Sequence, residues 1–216
     1  MNRITFANRV KKNSEFLTEH AQQFLKESKE YKYSIAWWCR QAGKSTVLSV
    51  SVRDYLLENP GTIAILVSNR FSSSQNLLNS LHLFTNESEI KTRTKTYIQF
   101  SNGSMAICST PSSLEKLKGL FVPDLIAIDE FDFIDKNRIK KIISECHIIK
   151  EGWFGNLMNS IFGKKKKVTK YIFFSSENTS DNFKYLKSIL PKHETFLSEI
   201  CDYTNCQKLV KRLELG

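Results

Sequence analysis

Trp37-Trp38-Cys39-Arg40-Gln41-Ala42-Gly43-Lys44-Ser45-Thr46 is the stretch on which the fold turns. The apolar run before it, residues 33–38, reads as a strand that ends at the loop, and residues 47–57 read as the helix that leaves it. A strand, then Gly-Lys-Ser, then a helix is the arrangement that aims backbone N–H groups at a polyphosphate. In the usual G-x-x-x-x-G-K-[ST] loop the first glycine would stand at Trp38; here Arg40 lies inside the loop instead.

Each loop position has a physical reason. Gly43 lets the backbone approach phosphate without a Cβ in the way. Lys44 reaches the β- and γ-phosphate oxygens, and the Ser45 hydroxyl is a ligand for Mg²⁺. Arg40 supplies a permanently charged fork beside the γ-phosphate, able to stabilise transition-state charge from within the same chain. By itself Gly-Lys-Ser is a common match, so a second element is needed.

That element is Asp124-Leu125-Ile126-Ala127-Ile128-Asp129-Glu130, an apolar strand that ends in two carboxylates. In a nucleotide-hydrolysing fold the first acid, Asp129, holds Mg²⁺, and the second, Glu130, orients and deprotonates the attacking water. The bland alternative is a buried strand followed by a solvated acidic turn, since Asp132 and Asp135 come next. With a phosphate loop upstream, the pair predicts a Mg²⁺-dependent ATPase. Its ATP-binding set is Arg40, Gln41, Ala42, Gly43, Lys44, Ser45, Thr46 and Asp129. Ser45 and Asp129 form the metal site, and Glu130, Arg40 and Lys44 are the catalytic residues.

At 216 residues the chain has room for one α/β domain over residues 1–216 and little for a second. A net charge of +10 favours a polyanionic partner, most simply nucleic acid. No run of about 18 apolar residues and no signal peptide stands out, so no membrane association is expected. Cys39, Cys108, Cys146, Cys201 and Cys206 are odd in number and irregularly spaced, which predicts free thiols rather than zinc ligands or disulfides.

Elsewhere the spacing predicts a helix within residues 13–30 and a second β-rich run at 62–67. A polar helix follows to residue 83. Ser101-Asn102-Gly103 marks a hairpin between residues 97–100 and 104–108. A short helix is expected at 112–118, a basic helix at 136–146 and a strand at 170–174. A helix at 183–190 and a last strand at 195–200 complete the series. Strands alternating with helices imply an α/β fold of the P-loop NTPase (RecA/ASCE-like) kind, a mostly parallel sheet with helices on both faces.

Taken in order, these pieces resemble the N-terminal ATPase domain of the large terminase subunit, the viral DNA-packaging motor. The loop of that family is typically R-x-x-G-K-[ST], matched by Arg40-Gln41-Ala42-Gly43-Lys44-Ser45. Val67-Ser68-Asn69-Arg70, the Asn102-Gly103 hairpin and Lys118-Gly119 match later pieces, and Asp129-Glu130-Phe131-Asp132-Phe133-Ile134 fits its D-E-x-x-F-I continuation. The resemblance covers roughly residues 16–190. It implies that Ser175, Ser176 and Asn178, at the end of a later strand, couple hydrolysis to movement. It also implies an adenine-contacting glutamine, for which Gln22 and Gln23 stand at about the right distance; a solvated helix face is an equal reading.

Further implications are a substrate of ATP with Mg²⁺, double-stranded DNA as cargo, and a homo-oligomeric ring on a capsid portal inside the infected host cell, in cytoplasm or nucleus. A small terminase subunit is an implied partner. Complete large subunits carry a C-terminal nuclease; none is expected in this chain, which would then be an isolated domain, a split gene product, or an ATPase with a separate nuclease partner. Lys164-Lys165-Lys166-Lys167, after a glycine-bounded apolar segment, is either a loop that grips DNA phosphate or a basic hairpin that keeps the protein soluble. Arg70, Arg93 and Arg138 are alternative arginines that could act on a neighbouring subunit's nucleotide. Two rival functions remain: a RecA-like half of a helicase, which would need a second motor domain, and a nucleotide-binding scaffold without turnover.

Overall fold

The computed structural model describes residues 17–117, 122–151, 169–176 and 181–200. Eight strands form one sheet: β1 (Tyr33–Trp38), β2 (Ile63–Val67), β3 (Ile90–Arg93), β4 (Tyr97–Phe100), β5 (Met105–Ser109), β6 (Leu125–Ile128), β7 (Lys170–Ser175) and β8 (Thr195–Ile200). Their spatial order is β3-β4-β5-β2-β6-β7-β1-β8. All neighbours from β5 to β8 run parallel, and β3, β4 and β5 form an antiparallel meander at one edge. The predicted mostly parallel sheet is therefore present, with β3 an addition that the sequence reading missed.

The helices are α1 (Glu19–Glu27), α2 (Lys44–Glu58), α3 (Phe71–Phe84), α4 (Pro111–Leu117), α5 (Lys136–Glu151) and α6 (Asp181–Ile189). They cover both faces, and for that reason the central strands β2 and β6 are apolar at every position rather than alternating. In β6, Leu125 and Ala127 join the core under α1–α3, while Ile126 and Ile128 join the core under α5 and α6. β7 divides in the same way, with Ile172 and Phe174 on one side and Tyr171 and Phe173 on the other. Helix α1 lies within the predicted window of residues 13–30 and ends where the chain turns at Ser28.

Two features of this packing position the loop after β1. First, β7 lies between β1 and β6, so the strand carrying the phosphate loop and the strand carrying the acids are separated by one neighbour. Second, Phe24 of α1 and Phe174 of β7 both meet Trp38 edge-on, at 5.6 and 5.2 Å between ring centroids. Such pairs contribute about 0.5–1.5 kcal/mol each beyond their buried area. Trp38 thus cannot swing, and its indole N–H donates to Ser198 Oγ on β8 at 2.9 Å. The bulky residue at the usual first-glycine position is a core anchor.

Candidate nucleotide site

The loop leaves β1 and returns into α2 through two left-handed residues, Gln41 (φ 65°) and Gly43 (φ 81°). Gly43 caps α2, so the N–H groups of the first helical turn point outward from the sheet's C-terminal edge. Lys44 Nζ folds back over the loop and donates to the carbonyls of Trp38 (2.9 Å) and Cys39 (2.8 Å). Burial pulls its ammonium below the usual lysine value, opposed by the nearby charges of Asp129, Glu130 and Asp132. Arg40 and Gln41 are exposed at the rim, and Ala42 is buried beneath.

From the second strand, Asp129 comes to meet this loop. Ser45 Oγ donates to Asp129 Oδ2 at 2.9 Å, a contact spanning 84 positions in sequence. Asp129 is only 7 % exposed. Burial pushes its carboxyl up to about 6, against the hydrogen bond from Ser45. Its other oxygen accepts the backbone N–H of Glu130 at 3.0 Å. A hydroxyl and a desolvated carboxylate facing one another are hard oxygen donors of the kind Mg²⁺ takes when phosphates complete its shell. The residues fit that ion.

Glu130 breaks from the strand with a left-handed backbone, φ 51° and ψ 43°. For a residue with a Cβ this conformation costs about 1–2 kcal/mol, and such strain gathers where a side chain must be aimed. Glu130 is thereby exposed while its neighbour Asp129 is buried.

The acidic turn is not the solvated feature allowed by its composition. Ser175 Oγ donates to Asp132 Oδ2, and the Ser176 N–H does so at 3.2 Å. The two hydroxyl residues expected to couple hydrolysis to movement thus contact the turn that carries Glu130. Asn178, the basic-glycine pair at 118–119 and Lys164, Lys165, Lys166 and Lys167 lie outside the described residues. Gln22 spends its amide on the Leu17 carbonyl at 2.8 Å. Arg93 and Arg138 have partners within the chain, Asn79 and Ser112.

His20 was missed by sequence reasoning. Its ring is within hydrogen-bonding reach of the Ala42 carbonyl (3.3 Å) and meets Trp38 edge-on at 4.8 Å, bracing the loop from α1. No motif marks it; only its place on a buried helix face could have drawn attention. The cysteines depart in part from expectation: Cys108 is a free, buried thiol, but Cys39 is disulfide-bonded. Pairing depends on which segments meet in space, and spacing along the chain does not encode that.

Comparison with solved structures places this arrangement. The large terminase of a thermophilic bacteriophage superposes with a TM-score of 0.66 at 11% identity, over 92% of this chain and 50% of that one. This is the fold of the terminase ATPase domain. The N-terminal domain of the bacteriophage phi29 DNA-packaging ATPase shares it, with a TM-score of 0.54 and 14% identity over 84% of this chain and 94% of that one. So does the UvsW helicase of bacteriophage T4, at 0.55 and 15%, over 86% and 59%. The thermophilic phage terminase has also been solved with ADP. The chain thus spans half the length of that terminase. No family model matches the sequence, and no curated protein does. Among the described residues no helix is long and apolar enough to cross a membrane.

Proposed function

We propose that the chain is an ATP-hydrolysing motor domain that drives double-stranded DNA into a viral capsid. The observation that carries this reading is the meeting of Ser45, in the first turn of α2, with Asp129, at the end of β6, beside Lys44 and with Glu130 turned outward. ATP would lie along the loop of residues 40–46, its phosphates on the α2 N-terminus and on Lys44, whose ammonium would exchange two loop carbonyls for phosphate oxygens. Ser45 and Asp129 would hold Mg²⁺, whose chemistry there would be to neutralise phosphate charge. Glu130 accepts a proton from the attacking water, and Arg40 at the loop rim stabilises charge on the leaving oxygens.

Packaging is favoured over a helicase by the arginine within the loop and by the Asn102-Gly103 hairpin. The likeness to UvsW supports the second reading, one motor half of a helicase. Ring assembly on a portal, with a small terminase subunit, belongs to the first reading alone. The two diverge in nucleic-acid response. A packaging motor is expected to hydrolyse ATP faster with blunt double-stranded DNA, with little response to single strands and no unwinding of a forked duplex. Unwinding of the fork would replace packaging with the helicase reading. If Lys164–Lys167 grip phosphate, replacing all four by Ala should flatten the salt dependence of DNA affinity by about 0.9 in log–log slope per lost contact.

A further inference from the structure

Behind the catalytic turn lies a contact that the motifs leave unassigned. Asn182, in the first turn of α6 and only 6 % exposed, sends its side-chain amide into the turn after Glu130. Nδ2 is 2.9 Å from the Phe131 carbonyl, 3.3 Å from that of Asp132 and 2.6 Å from that of Ile134. Two N–H bonds are thus shared among two carbonyls of the short 3-10 turn Phe131–Phe133 and that of Ile134, the residue that caps it. Phe131 is fully buried edge-on to Phe173, and Phe183 and Leu186 of α6 belong to the same core.

We infer that α6 is the output element of the site and that Asn182 is the positioning residue joining it to Glu130. This rests on the reading of Glu130 as the base. The left-handed conformation of Glu130 holds only if the chain on both sides is fixed. On the strand side, Asp129 N–H is bonded to the Val67 carbonyl at 2.9 Å. On the other side, the direction in which the chain leaves Glu130 is set by Asn182 and by the Asp132 contacts to Ser175 and Ser176. Any rearrangement of Glu130 as the γ-phosphate departs must break these bonds or carry α6 with it. Breaking them takes the shortest of the three bonds from the buried Ile134 carbonyl, which is the costlier course.

The connection then closes on itself. α6 leads through Pro191 into β8, which pairs with β1 along its whole length, and Ser198 of β8 holds Trp38 at the base of the phosphate loop. The two ends of the nucleotide site are therefore joined through α6 and β8 as well as through the sheet. α6 turns Lys184 and Ile189 outward.

The test uses the full chain, wild type and Asn182→Leu, with ATP and a non-hydrolysable analogue. Hydrogen exchange is followed in residues 44–50, 129–134 and 181–189. In the wild type, nucleotide should alter exchange in all three segments. In Asn182→Leu, ATP affinity should stay within about twofold while kcat falls roughly tenfold to a hundredfold, as for a misplaced base. The α6 response should vanish and that of residues 44–50 persist. If the leucine variant does not fold, Ser175→Ala loosens the same turn from β7 and should lower kcat at unchanged ATP affinity. Unaltered kcat in the folded variant, or a wild-type α6 indifferent to nucleotide while residues 44–50 respond, overturns the inference. A wild type that binds no nucleotide overturns the site reading, and the inference with it.

Discussion

The two edges of the sheet both bury charge, yet only one reads as a site. At the C-terminal edge, Lys44, Ser45, Asp129 and Glu130 come from separate elements and converge, with left-handed backbone at Gln41, Gly43 and Glu130. At the N-terminal edge a cavity of about 360 Å³ is lined by Lys29, Asp54, Tyr55, Glu58 and Lys170 among others. Burial there pulls Lys170 down to about 8 and pushes Tyr55 up to about 12. These groups are satisfied locally, however: Lys170 donates to the Lys29 carbonyl at 2.9 Å, Lys29 pairs with Glu58, and Asp54 pairs with its neighbour Arg53. Desolvated charge alone does not mark chemistry. Convergence of unlike donors, aimed by strained backbone, separates the two edges.

That comparison can be broken at either end. The largest expected effect is at the loop rim, where Arg40→Ala should lower kcat by about 10³-fold or more with a modest change in ATP affinity. An equal loss in both would make Arg40 a ground-state contact and remove it from catalysis. Next, Lys44→Ala should weaken ATP binding roughly tenfold to a hundredfold, since it removes charge-assisted bonds to phosphate. Unchanged affinity by titration calorimetry would sink the phosphate-loop reading.

The smallest effect belongs to the far edge and should leave ATP turnover alone. Lys170 releases its proton at about pH 8 when folded and near 10.5 when unfolded, so the unfolded chain binds more protons in that window. Stability from this residue therefore rises with pH between those values. Lys170→Met should be more stable than the wild type at pH 7 by roughly 1–2 kcal/mol, after allowing for its partial exposure. The gap should close by about pH 10.5, as urea unfolding across that range would reveal. A gap independent of pH would mean that the buried ammonium carries no such penalty. A collapse of turnover would show that the two edges are not independent.

Much of the C-terminal edge was legible in the sequence, because its signals are local. A strand running into Gly43-Lys44-Ser45 and an apolar run ending at Asp129-Glu130 are each written in about ten consecutive residues, as is, at the opposite edge, the hairpin at Asn102-Gly103. What joins them was not. The insertion of β7 between β1 and β6, the reach of Asp132 to Ser175 and of Asn182 to three carbonyls, and the bracing of the loop by His20 all depend on register between distant segments. Composition made Asp132 look like part of a solvated turn, when its carboxylate is in fact an acceptor for the end of β7. β3 escaped notice because its residues, Ile-Lys-Thr-Arg, are mostly exposed and lack an apolar stripe.

The central claim is that the C-terminal edge hydrolyses ATP, with Glu130 as the base. Its most direct test is steady-state ATP hydrolysis, with Mg²⁺ present and withheld, by the wild-type chain and by Glu130→Gln, alongside ATP binding by both. The account predicts Mg²⁺-dependent turnover in the wild type and a fall of roughly 10²–10⁴-fold in the variant at nearly unchanged affinity. Equal turnover in the two proteins would contradict it.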